Sequence, residues 1–333
     1  MRAITYDRTG PAAEVLSLRD LPDPAPGPGE VLVRVHASGI NPADVKRRAG
    51  WGGLAMGHPL VIPHTDGAGV IKAVGDGVDA RRIGQRVWMW NAQGGYGEAG
   101  RAFGTAAELI ALPAAQAVPL PDRLSFAEGA CIGVPAMTAH RCVMSDGPVT
   151  GLTLLIQGGA GAVGYLACQI AIKEGARLLS TVSGPENATR IEALGGLAID
   201  RRREDVASRV LELTGGIGVD RIIEVDFAAN CRTDAQLIKR NGMIASYSSS
   251  SDAKPVLDYY AYASKGANMR FIQGFSLPKD ALRKAQMWIA QNHIHIPRHA
   301  TFPLEDCAKA HEMVETPRPD AFGQVVLELT PSD

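Results

Sequence analysis

The sequence predicts an α/β chain in which an irregular β-rich domain is interrupted by a doubly wound parallel sheet. Three observations predict it. Leu152–Ile156 is a short apolar run that breaks into glycines and resumes as an apolar stretch at helical spacing. Between Arg177 and Phe275, strand-length apolar runs alternate with helical segments, as parallel βαβ units do. Ahead of them, over about the first 120 residues, short alternating strands are punctuated by glycine and proline.

The chain is organised around Leu152–Gly175, LTLLIQGGAGAVGYLACQIAIKEG. G-x-G-x-x-G falls on Gly159, Gly161 and Gly164, between the strand and a helix whose apolar face carries Val163, Leu166, Ala167, Ile170 and Ala171. The first glycine permits a tight turn, the second lets backbone approach a pyrophosphate, and the third lets helix pack on strand. The helix N-terminus then offers unpaired N–H groups to the phosphates. Gly159, Gly161, Ala162, Val163 and Gly164 are the candidate dinucleotide contacts.

The second strand of this unit, RLLSTVS, ends at Ser183. A carboxylate there would accept from the ribose hydroxyls of NADH. None is present; Glu186 arrives only in the following turn, and Arg190 and Arg201-Arg202-Arg203 lie downstream. A 2′-phosphate calls for hydroxyl and guanidinium donors. The expected cofactor is therefore NADPH, with Ser183, Arg190 and Arg201 as candidate contacts; which of Arg190, Arg201, Arg202 and Arg203 meets the 2′-phosphate stays open, the arginine run reading equally as a solvated surface turn.

At 333 residues the chain is long enough for two domains with separate cores. Lys and Arg number 34 against 35 Asp and Glu, so charge points to neither nucleic acid nor an anionic membrane. MRAITYDRTG has no apolar signal region and no apolar run could span a bilayer, so a soluble cytoplasmic protein is expected. The five cysteines are scattered without a C-x-x-C pair and read as buried thiols of a reducing compartment.

In order, Met1–Tyr6 is an expected strand, Leu21–Gly29 a proline-rich connector, and Glu30–His36 an alternating strand. Ser38–Asp44 turns into a short helix with Pro42 at its first position. Gly50–Pro59 is a glycine-rich loop, and strands are expected at Gly69–Val74 and from Gly84 to Trp88. Asn91–Gly104 has many glycines and no metal-ligand pattern. Ser125–Glu128 has capping-box spacing and opens a helical region to Met144, interrupted at Pro135. Further strands follow at Arg177–Val182, Leu197–Ile199, Val219–Val225, Gly242–Tyr247 and Met269–Phe275. After Pro278 come amphipathic helices Lys279–Asn292 and Leu304–Thr316 and a strand Gln324–Leu329. This tail has no βαβ unit left to complete, so it should return to the first domain.

Several of these stretches resemble, in order, motifs of the medium-chain dehydrogenase/reductase superfamily. Pro26–Val35 resembles its opening strand, Gly39-Ile40-Asn41-Pro42-Ala43-Asp44 the quinone reductase motif G-(I/V)-N-x-x-D, and Pro63–Val70 the motif P-G-x-D-x-A-G-x-V. Gly84–Val87 resembles G-D-R-V, and Gly133–Ala139 the segment beside the nicotinamide. The chain most resembles the zinc-free quinone oxidoreductase branch, which includes the zeta-crystallins. The resemblance implies a GroES-like catalytic domain, 1–123 with 273–333, split by a Rossmann NADPH-binding domain, 124–272, with the active cleft between them and a homodimer joined through the Rossmann sheet. Where zinc alcohol dehydrogenases have Cys and His ligands, this chain has Asn41 and Thr65. His64 falls where that branch has Gly, and no cysteine neighbours it in sequence. No metal is expected.

Without a Lewis acid, the acceptor must already be electrophilic, a quinone or conjugated enone. The resemblance puts Asn41 and Thr138 near the nicotinamide and the acceptor, with Asp44 orienting neighbours or standing as an exposed first-turn acid. Asp226 and Ser246 fall at strand C-termini, where ligands of open α/β sheets gather. Phe275 resembles a residue whose backbone meets the carboxamide, and Gln324 replaces the lysine of a closing G-K motif. Trp51 either stacks on a flat quinone or covers loop backbone. Lys46 donates a proton, attracts an anionic acceptor, or is a solvated charge. Three readings stay open: a quinone reductase, an enone or enoyl-thioester reductase, and a non-catalytic NADPH-binding protein.

Overall fold

The structure, a computed structural model, describes residues 1–94, 101–316, 318 and 320–329. Two compact units emerge: Met1–Val134 with Ile296–Pro317 and Gln324–Asp333, and Pro135–His295 with Arg318–Gly323. Part of Asn91–Gly104, the stretch expected to carry no metal-ligand pattern, lies outside the described residues.

The first unit is built on a seven-stranded sheet. Its order is Arg298–Pro303, Gln324–Glu328, Glu30–Ile40, Asp66–Val74, Arg86–Met89 and Ala117–Pro119, with Leu109–Pro113 also pairing to Glu30–Ile40. Alternation along Glu30–Ile40 buries Val31, Val33 and Val35 against Ile62, Ile71, Ile110 and Leu112, which form the core. Two pairings set the later chemistry. Gly39 lies opposite Asp66, and Ile40 lies opposite Val325, so the start of the helix Pro42–Ala49 is brought beside Asp66 and Gln324.

The second unit holds a six-stranded, wholly parallel sheet. The order is Leu197–Asp200, Arg177–Val182, Thr153–Ile156, Val219–Glu224, Ile238–Ser246, Asn268–Phe271. The doubly wound expectation holds: the order reverses at Thr153–Ile156, which makes the crevice beyond its C-terminal end the ligand position for such sheets. Leu155, Leu179, Ile199, Ile222 and Ile244 pack into a core. No helix among the described residues is long and apolar enough to cross a membrane. All five cysteines are buried free thiols.

Several expectations need correction. The helical region after Ser125 is two helices, Phe126–Gly129 and Gly133–Met144, and the break precedes Pro135. Pro135 is the third residue of the second helix, where its missing N–H has no intrahelical partner to lose. The Ser125–Glu128 capping box is present, Ser125 N–H and Oγ–H both donating to Glu128 Oε2 at 2.8 and 2.7 Å. Strands at Ser17–Asp20 and Arg298–Pro303 had no sequence signal. The compact units also differ from domains of 1–123 with 273–333 and 124–272. The helix Lys279–Gln291 stays with the parallel sheet, burying Ala281, Ala285 and Ile289 and donating from Trp288 Nε1 to Glu174 Oε1 at 2.6 Å. The tail rejoins the first unit only from Ile296.

Candidate active site

In the second unit, the glycine turn follows the buried strand Thr153–Ile156. A Cβ on Gly159 would stand 2.0 Å from Ser180 Oγ, and one on Gly164 would stand 2.1 Å from the Gly158 carbonyl. Both are close-packing glycines. Gly161 differs: a Cβ there would meet one atom only, the Gly158 carbonyl oxygen, at an ordinary contact distance of 3.4 Å. The helix Ala162–Lys173 begins there, and the first-turn N–H groups of Ala162, Val163 and Gly164 lie beyond intrahelical reach. A phosphate-sized anion fits this arrangement of backbone and helix N-terminus. Gly323 pairs with Gly161 along the turn's other side, its N–H bonding Ala160 O at 3.1 Å.

Below the turn runs a polar chain that sequence reasoning missed. Gly158 N–H donates to Thr181 Oγ1 at 2.9 Å, Thr181 Oγ1 to Gln157 Oε1 at 2.8 Å, and Gln157 Nε2 to Asp234 Oδ1 at 3.1 Å. Asp234 is buried with Glu224, and burial pushes both carboxyls up. Nothing in the spacing of these residues signals their meeting.

At the end of the second strand the structure brings two of the expected residues together: Arg201 Nε donates to Ser183 Oγ at 3.0 Å. Arg190 is held elsewhere, its guanidinium 4.4 Å from the Phe322 ring centroid and hydrogen-bonded to Asn187. Asp200, from the third strand, is the nearby carboxylate; the Arg202 N–H holds it below its usual value. Asp226 does not end a strand. The strand stops at Glu224, and Asp226 precedes the helix Phe227–Leu237 without a side-chain bond to it, its Oδ1 accepting instead from Ser251 N–H and Oγ–H at 3.1 and 2.9 Å. Ser246 ends its strand, donating from Oγ to Ser248 O at 3.3 Å. Phe275 is half-buried in the turn beyond Asn268–Phe271, and Thr138 is buried on the helix Gly133–Met144.

In the first unit, Asn41 is the N-cap of Pro42–Ala49 and is 4 % exposed. Its Nδ2 donates to Asp66 Oδ2 at 2.8 Å and to Thr65 Oγ1 at 3.4 Å. Its Oδ1 accepts from Gln324 Nε2 at 3.1 Å, and its backbone N–H donates to Asp44 Oδ2 at 2.8 Å. Asp44 is buried, not an exposed first-turn acid, and takes a second bond from Thr65 Oγ1 at 3.3 Å. Burial pushes Asp44 up to about 6 and Asp66 up to about 8, outweighing the hydrogen bonds they accept. The amide, hydroxyl and carboxyl groups gathered here lack the thiolate and imidazole that zinc prefers. Lys46 and Trp51 are set against each other, the ammonium 4.5 Å from the ring centroid.

A third grouping was also missed. His64, Cys307 and His311, all fully buried in the first unit, place their nitrogen and sulfur atoms within 4.8 Å of one another. His64 has no cysteine near it in sequence, but folding brings one. The usable signal was the spacing of Cys307 and His311, four apart on one helix.

Residues 27–122 match the family model described as the alcohol dehydrogenase GroES-like domain, and residues 162–290 the model described as zinc-binding dehydrogenase. The human quinone oxidoreductase is 31% identical over 94% of this chain and 94% of its own length. A solved NAD-dependent alcohol dehydrogenase superposes with a TM-score of 0.86 at 28% identity, covering 99% of this chain and 100% of that one. A mycobacterial protein solved in complex with NADPH gives 0.82 at 27% identity, over 98% and 99%. Both domain models in order, with that identity along nearly the whole chain, show that it belongs to the zinc-independent quinone oxidoreductase family of the medium-chain dehydrogenases/reductases.

Proposed function

We propose that this oxidoreductase uses NADPH to reduce quinones or related conjugated carbonyl compounds. The observation that carries the reading is the Ser183–Arg201 pair at the end of the second strand, a hydroxyl and a guanidinium in one hydrogen bond. Such a pair suits a 2′-phosphate better than a bare ribose. The relative solved with NADPH supports the same cofactor. When bound, NADPH supplies the hydride.

The protein's share is placement. The backbone of Gly161 and the N–H groups of Ala162, Val163 and Gly164 take the pyrophosphate. Asp226 and Ser246 shape the strand-end loops, and Thr138 and Phe275 line the nicotinamide side. Asn41 and Asp44 act as positioning residues, since the Asn41 amide is engaged by Asp66, Thr65 and Gln324. Trp51, with Lys46 against its ring, offers a flat surface to a planar acceptor. The edge strand Asn268–Phe271, with Phe271 exposed, supports a homodimer joined along the parallel sheet, and the five free thiols support a reducing, cytoplasmic setting.

The test is a steady-state screen of quinones, enones and enoyl thioesters with NADPH and NADH side by side. Turnover on quinones with preference for NADPH is the expected result. Turnover confined to enoyl thioesters would move the assignment to double-bond reduction, and no NADPH consumption with any acceptor would end the enzymatic reading. Sedimentation of the purified chain as a monomer would remove the dimer.

A further inference from the structure

We propose that His64, Cys307 and His311 form a buried site for one soft, closed-shell cation, Zn²⁺ or Cu⁺, separate from the reductase chemistry. Cys307 and His311 are four residues apart on the helix Cys307–Glu315 and so share a face, as metal-binding pairs on helices do. His64 comes from a segment 243 residues earlier than Cys307. His64 Nε2 lies 2.9 Å from His311 Nε2 and 3.9 Å from Cys307 Sγ. Metal bonds of about 2.0–2.1 Å to nitrogen and about 2.3 Å to sulfur place such ligand atoms roughly 3.3–3.8 Å apart. The two His64 separations stand within about half an ångström of that range, and all three ligand atoms lie within 4.8 Å of one another.

The surroundings orient the ligands. Thr105 Oγ1 donates to Asp66 O at 2.6 Å, which leaves it to accept from Ser38 Oγ at 2.8 Å. Ser38 Oγ in turn accepts from His64 Nδ1 at 2.8 Å. This relay puts the His64 proton on Nδ1 and turns a bare Nε2 toward Cys307 and His311, the outer-sphere arrangement that metal-bound imidazoles use. His311 offers its Nε2, the atom that faces His64. His64 also holds φ at 78°, a left-handed backbone that L-residues rarely adopt.

Two imidazoles and a thiolate select Zn²⁺ or Cu⁺ among biological cations. Binding breaks the Cys307 S–H bond, forms the sulfur–metal bond and releases one proton to solvent. No electron is transferred. With all three residues fully buried, the ion is taken up as the chain folds.

The full chain is expressed in medium supplemented with zinc or with copper, passed over chelating resin, and analysed by inductively coupled plasma mass spectrometry. Retention of roughly one equivalent of either metal is expected, falling about tenfold in Cys307→Ser and in His311→Gln. The two media distinguish the two ions. If the folded wild type retains neither, or if the variants retain as much as the wild type, the site is a hydrogen-bonded histidine pair and the proposal fails. X-ray absorption on the loaded wild type serves if the variants do not fold. One sulfur and two imidazole nitrogens in the first shell support the site, and a shell without sulfur overturns it.

Discussion

Gln324 and Asn41, 283 residues apart in sequence, are hydrogen-bonded: Gln324 Nε2 donates to Asn41 Oδ1 at 3.1 Å. The same nitrogen donates to Ile40 O at 3.2 Å. The strand Gln324–Glu328 therefore holds the first turn of Pro42–Ala49 in place from the side, and the Gln at the closing motif has a structural partner where a Lys would carry charge into a buried site.

Gln324→Ala leaves a buried carbonyl and a buried amide oxygen short of a donor. The expected loss is about 1–3 kcal/mol in urea unfolding. Stability within a few tenths of a kcal/mol of wild type would show that water replaces the side chain without penalty.

Two of the motif glycines have separable effects. Gly164→Ala drives a Cβ into the Gly158 carbonyl, so it destabilises the fold by about 1–3 kcal/mol and weakens NADPH binding. Gly161→Ala meets nothing nearer than 3.4 Å, so thermal unfolding stays near wild type while NADPH affinity drops roughly tenfold or more, about 1.4 kcal/mol. Cofactor titration by fluorescence quenching checks both. Undiminished binding by Gly161→Ala would remove the turn from the pyrophosphate site.

Arg201→Ala removes the guanidinium beside Ser183. A charge-assisted bond of about 1.5–3 kcal/mol predicts a rise in KM for NADPH of roughly tenfold or more, with little change for NADH. Arg203, exposed and paired to Asp200 at 3.7 Å, is the control. Equal effects on the two cofactors would reject the 2′-phosphate contact.

Asp44 predicts a pH dependence of stability. Its folded value of about 6 exceeds the ordinary 3.8, because burial disfavours the charge. Between those values the folded state binds the extra proton, so the contribution is complete below about pH 4 and is lost as pH rises through 6. The loss is on the order of 2–3 kcal/mol, by the conversion of a pKa difference to free energy. Asp44→Asn keeps the acceptor for the Asn41 N–H and flattens this slope. Parallel pH profiles of urea midpoints for the two proteins would contradict it.

Much of the parallel-sheet unit was legible because its signals are local. Arg177–Val182 is observed with the expected bounds, and the glycine turn stands between strand and helix. Boundaries slipped where locality fails. Asp226 reads as a strand end because the apolar run leads into it, but the strand stops at Glu224 and the Asp226 carboxylate accepts from Ser251. The helix Lys279–Gln291 has an amphipathic face that does not say which core it joins. Trp288 meeting Glu174 decides that.

By itself, the order of residues determined the cofactor fold, since a glycine turn, its strand and its helix are contiguous and their spacing states their geometry. Only tertiary structure decided that Asn41 is locked by Asp66 and Gln324, that Gln157 reaches the buried Asp234, and that His64 meets Cys307 and His311. Those partners are set by strand register and helix packing across long stretches of chain. Burial then gives their carboxyls and imidazoles properties that no local spacing encodes.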